Sequence, residues 1–154
     1  MPGIDECLLE AMRLPGSLGA AVVDWTSGLA LGTIGASPNN DHETTAAETA
    51  ELARMAAEHP AFAPAPDTGT DDTAGGTEDT DGTDEPSGAS TPARGKGLPV
   101  EDVIVTNRTG YHVLRFVETT FDSSVFLHLW LDRDEGNLAL ARLRLRDLAE
   151  RLVL

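Results

Sequence analysis

This chain is short of several things. Its 154 residues include one cysteine, Cys7, and one lysine, Lys96, and aromatic residues make up only 5%. A lone cysteine excludes an internal disulfide and fits a reducing compartment. Its expected role is that of a small apolar packer in the first helix. Basic charge is scarce: 11 Lys+Arg stand against 26 Asp+Glu, for a formal net charge of −15. Such an excess repels phosphate backbones and anionic lipid, so nucleic acid and membrane surfaces are not expected partners. No stretch approaches the roughly 18 apolar residues that a membrane span needs. The opening MPGIDECLLEAMR is acidic and lacks the apolar core of a secretory signal. The cytoplasm is the expected location.

Reactive constellations are scarce as well. Gly28, Gly32 and Gly35 have the wrong spacing for a phosphate-binding loop and no lysine follows them. Nucleophilic catalysis needs a hydroxyl or thiol beside a base, and no such pairing is legible. Of the four histidines, His42 and His59 fall near the two ends of one expected helix, while His112 and His128 fall on adjacent expected strands within reach of each other. Packing against a helix or partner is the plain reading of that pair. A two-histidine metal site completed by Asp132 or Glu118 is the other reading, without any metal-ligand spacing to support it. No catalytic residue, metal or cofactor is therefore expected.

Composition changes abruptly at Pro60. From there to about Gly97 the chain is built of Ala, Pro, Gly, Thr, Asp and Glu, and after Phe62 no large apolar residue occurs before Leu98. Such a segment cannot bury enough surface to offset the entropy of ordering, so 61–97 is expected to be a disordered acidic insert. Closure entropy grows by about 0.6 kcal/mol per doubling of loop length, so a loop of this size costs roughly 2 kcal/mol more than a short one. The expected organisation is one domain split as 1–60 and 98–154. The insert reads either as a solvating expansion or as an acidic docking tail.

What is present is packing surface. Glu6 to Arg13 reads as a helix, with Asp5 placed to cap it and Ile4 and Leu9 at staple positions. SLGAAVVDW reads as a strand, Asp24 to Gly28 as a turn, and Leu29 to Thr33 as the return strand. A second helix starts at Asn40 or Asp41 and stops at about His59, before Pro60. Along it Ala46, Ala50, Ala53 and Ala57 form one stripe of methyl groups at i, i+4, i+7 and i+11. Either the helix lies close on its own sheet, or the stripe or its flank meets the same helix of a second subunit.

Val100 to Arg108 and Tyr111 to Glu118 read as a hairpin around Thr109-Gly110, and Ser123 to Leu131 as a further strand. In the last of these Val125, Leu127, Leu129 and Leu131 alternate with Phe126, His128 and Trp130, so both faces are apolar and both must be covered. The closing segment from Asn137 repeats Leu138, Ala141, Leu145, Leu148 and Leu152 at helical spacing and is expected to run to the last residue. Trp25, at a hairpin turn, is a candidate partner contact, as is Arg108; Trp130 reads as packing.

The order helix, two strands, helix, insert, three strands, helix, together with the Leu14-Pro15-Gly16-Ser17-Leu18 entry, the Val103-Ile104-Val105-Thr106 strand and the Asn137-Leu138-Ala139 opening of the last helix, resembles the Roadblock domain family, named for a dynein light chain and related to longin and profilin-like folds. The resemblance covers nearly everything except the insert. It implies an α+β fold: a five-stranded antiparallel sheet with the middle helix on one face and the terminal helices on the other. It also implies a homodimer that pairs the strand after the middle helix with its symmetry mate. That would place Val103 and Val105 at the seam and Ala46, Ala50, Ala53 and Ala57 beside it. Bacterial relatives regulate small Ras-like GTPases or scaffold assemblies, so a GTPase is the implied partner. A small-ligand or signal-sensing module is the competing expectation.

Overall fold

Alternation with apolar residues on both sides demands a sheet covered on both sides, and that is what the chain builds. The computed structural model describes residues 3–65, 99–118 and 124–152. Three helices, α1 (Ile4–Met12), α2 (His42–Glu58) and α3 (Leu138–Arg151), surround five strands, β1 (Ser17–Asp24), β2 (Leu29–Gly35), β3 (Asp102–Thr106), β4 (Gly110–Val117) and β5 (Val125–Asp132). The strand order is β2-β1-β5-β4-β3 and every pairing is antiparallel. The α+β architecture is the one that the Roadblock resemblance implies.

Strand parity sorts the core into two layers. Val22, Val113, Val117, Leu127, Leu129 and Leu131 meet α1 and α3, with Cys7, Ala141 and Leu145 among the helix residues packed on them. Ala21, Val23, Leu114, Phe116 and Phe126 meet Ala46, Ala50 and Ala53 of α2. Terminal helices on one face and the middle helix on the other match the expected arrangement.

Several boundaries differ from the sequence reading, each for a local reason. The first helix begins at Ile4 with Gly3 at its cap, so Asp5 sits inside the first turn instead of capping it. Leu9, one half of the expected staple, is exposed. At α2 the choice between caps falls to Asp41, whose carboxylate accepts from the Glu43 and Thr44 amides at 3.0 and 3.3 Å. Asn40 takes a left-handed φ of 57° that turns the chain into the helix. Strand β3 is shorter than Val100–Arg108, because Asn107 captures the Thr109 and Gly110 amides and closes the turn early. The last helix ends at Arg151, short of the chain end. Pro60–Phe62 forms one 3-10 turn; residues 66–98, where most of the expected insert falls, lie outside the described residues.

Candidate functional site

The middle helix does not cover its whole face of the sheet. It lies closest to β1 and β2, packs on Leu114 and Phe116 of β4, and leaves the edge strand β3 partly open. Between its C-terminal half and β3 runs an apolar groove of about 440 Å³. Leu52, Met55 and Ala56 of α2, with His59 just past its end and Phe62, form one wall; Val100, Asp102 and Val103 form the other. Met55 is 51% exposed and Phe62 58%, high for large apolar side chains set side by side. A second cavity of about 320 Å³ adjoins along Leu52 and reaches Val105, His112 and Leu114. Strand β3 pairs with β4 on one side and, among the described residues, with no strand on the other. An unpaired edge beside an apolar trough can accept another strand.

The alanine stripe turns inward. Ala46, Ala50 and Ala53 are fully enclosed against the chain's own sheet, and Ala57 packs on the edge of the same cluster. Of the two readings of that stripe, the close approach to its own sheet is the one seen, and three of its four methyl groups have no free surface to offer. Small side chains let the helix axis come close enough for this. Val103 is half-buried in the groove wall and Val105, 39% exposed, lies on the same side of β3. Trp25 is half-buried at the β1–β2 hairpin, its ring on the α2 cluster and its Nε1 enclosed without an acceptor among the described residues. Arg108 is exposed in the β3–β4 turn.

The groove's main wall was not singled out from sequence, although its signal is there. Leu52, Met55, Ala56 and His59 repeat at i, i+3, i+4 and i+7, a second stripe beside the alanines. Alanines in a helix draw attention by their number, and the adjacent stripe is masked by Glu51, Arg54 and Glu58.

Beneath the start of α2 lies a histidine pair. His112 Nδ1 and His128 Nε2 are 3.0 Å apart, so one ring donates to the other. The two rings stack at 5.2 Å, and His112 stacks in turn on Trp130 at 6.1 Å. His128 is only 4% exposed. Burial, then the neighbouring His112 and His42, push its pKa down to about 3. Burial lowers that of half-buried His112 as well. The suggested metal ligands do not join the pair. Glu118, just past the end of β4, is six residues from His112, about 20 Å of extended chain. Asp132 spends its carboxylate on the Asp134 and Glu135 amides. No group of three His, Cys, Asp or Glu among the described residues could hold a metal ion. Nor does any helix among them have the length and apolarity to cross a membrane.

A five-stranded antiparallel sheet in the order β2-β1-β5-β4-β3, with one helix on one face and two on the other, is the Roadblock fold. The structure of a Roadblock/LC7 domain from Streptomyces avermitilis superposes with a TM-score of 0.56, at 16% identity over 97% of this chain and 93% of that one. Myxococcus xanthus MglB matches with a TM-score of 0.57, at 15% identity over 96% of this chain and 82% of that chain. A structure described as MglB with tetrameric arrangement gives 0.60, at 16% identity over 96% and 82%. At these identities the likeness is one of fold. No protein-family model and no curated protein sequence matches the chain.

Proposed function

We propose that the chain is a non-enzymatic docking module that pairs with a second copy of itself along β3 and, as a dimer in the cytoplasm, regulates or scaffolds a small Ras-like GTPase. The observation that carries this reading is the edge of β3, which pairs with no second strand among the described residues, beside a groove lined by Val100 and Val103 on one side and Met55 and Phe62 on the other. Edge addition satisfies the unpaired backbone groups of β3, while the groove takes apolar side chains from the partner. The description of one MglB neighbour as tetrameric supports self-association of this fold. The GTPase half rests on likeness of fold to MglB.

A groove of about 440 Å³ also falls within the size range of small-ligand sites, which keeps the ligand-sensing reading as the alternative. Light scattering over a range of concentrations tests the dimer: Met55→Asp is expected to abolish self-association and leave the fold intact. A monomeric parent protein at high concentration would sink it. GTP hydrolysis by purified small Ras-like GTPases, measured with and without this chain, tests the partner, and no binding with no change in rate counts against that half. Thermal-shift screening with metabolites tests the alternative.

A further inference from the structure

The histidine pair has no part in the docking reading, yet it sits under the helix that forms one wall of the groove. We propose that His112 and His128 form a proton-operated latch. While neutral, the pair lets the N-terminal half of α2 lie flat on the sheet; when His128 takes up a proton, that half lifts and the seating that holds the C-terminal half as the groove wall is loosened.

Several observations converge on this. The two rings bond directly to each other at 3.0 Å, which requires an uncharged acceptor nitrogen. His128 lies under the first turn of α2, where His42, Thr45 and Ala46 close over it and Trp130. An imidazolium there would face the positive end of the helix dipole. The groups that face the pair offer little compensation. From α2 these are His42, which bonds to the Gly35 carbonyl, and Glu48, an exposed carboxylate on the His112 side. From β1 comes Ala21, from β3 Val105, and from the loop before α2 Ser37 and Asn39, all uncharged. Trp130, parallel to His112, can stabilise a first proton there by a cation–π contact, but His128 has no such help.

The helix above is also lightly held. Its buried contacts are the methyl groups of Ala46, Ala50 and Ala53, and its start is tied by the Thr45 hydroxyl, which donates to Asn39 Oδ1 and shares a bond with the Ser37 hydroxyl. It is the element that a buried charge would displace at least cost. The sign follows from linkage. The His128 pKa is about 3 when enclosed and 6.5 when free, so the open form binds more protons between those values. The closed form is fully favoured above about 6.5 and loses ground as pH falls towards 3. Between pH 7.5 and 5.0 the opening equilibrium is expected to grow about thirtyfold.

Hydrogen exchange of the full chain at pH 7.5 and 5.0, corrected for intrinsic rates, tests the latch. The amides of Ala46 to Ala53 are expected to lose protection about thirtyfold, those of Ala141 to Ala149 far less, and His128→Phe is expected to abolish the difference. Equal loss in α2 and α3, or an unchanged response in His128→Phe, would overturn the proposal. If that variant does not fold, the His128 ring proton resonance decides in the parent protein: titration near 6.5 with α2 still protected would overturn it, and no titration of the closed form above pH 5 would support it. That the latch acts on docking rests on the reading above. A dimer at pH 7.5 that dissociates at 5.0 supports the link, and one that persists with α2 open overturns it. A monomer at both values removes the docking reading and leaves exchange to judge the latch.

Discussion

Arg142 donates its Nε–H to Asp102 Oδ2 at 3.0 Å, which ties helix α3 to the first residue of edge strand β3. The same carboxylate lies 4.0 Å from the Arg115 guanidinium, which Glu101 approaches to 3.8 Å. Arg115 is mostly buried, its Nε has no acceptor among the described residues, and both carboxylates lie beside its guanidinium. The edge strand proposed as the dimer seam is thus anchored from the opposite face of the sheet. Asp102→Ala is expected to cost about 2 kcal/mol, because it removes the buried one of the two carboxylates beside a largely buried cation. Arg142→Ala should cost only about 0.5 kcal/mol, since Arg142 is half-exposed and screened. Urea unfolding of the two variants checks the order; equal losses would show that Asp102 does not support Arg115.

Gly19 is needed for its missing side chain. A Cβ at that position would meet the Ala36 carbonyl oxygen at 1.9 Å, a backbone atom just beyond β2 that cannot swing aside. Gly19→Ala is expected to destabilise by about 3 kcal/mol and to weaken the β1–β2 pairing. A urea midpoint within error of the parent's would show that the backbone yields there.

Ala50 is completely enclosed between α2 and the sheet. Ala50→Leu adds three carbons where no space exists, so a loss of about 2 kcal/mol is expected. Met55→Leu, at an exposed position of the same helix, should be nearly neutral. Thermal unfolding of both reports whether the alanine stripe sets the height of the helix. A neutral Ala50→Leu would refute close seating.

Cys7 is fully enclosed by α1, α3 and the sheet. Burial pushes its thiol up to about 11, Glu10 adds to the shift and Arg151 opposes it. At pH 8 the thiolate fraction is about one in a thousand, so iodoacetamide should label the native chain only through unfolding. Because the native state keeps a proton that the unfolded chain gives up above about 9, this group leaves stability unchanged below that pH. Stability then declines as pH rises towards 11. Mass spectrometry of labelling with and without urea checks the first point, and rapid labelling of native protein would contradict the packing.

Periodicity carries short-range information, and at that range the sequence was decisive. Val125, Leu127, Leu129 and Leu131 alternating with Phe126, His128 and Trp130 required two covering layers. The closing helix expected from Asn137 is there, with Asn137 as its cap through the Leu140 amide. The order of elements was enough to suggest the Roadblock fold. Tertiary structure alone decided which neighbours those faces meet. Ala46, Ala50 and Ala53 read equally well as facing a second subunit or the chain's own sheet, and the structure buries all three against the sheet. His112 and His128 are 16 residues apart, and only the β4–β5 register, which sets Leu114 against His128 and His112 against Trp130, brings their rings into one hydrogen bond. The groove depends on where α2 comes to rest on the sheet, a long-range relationship that local residue patterns do not encode.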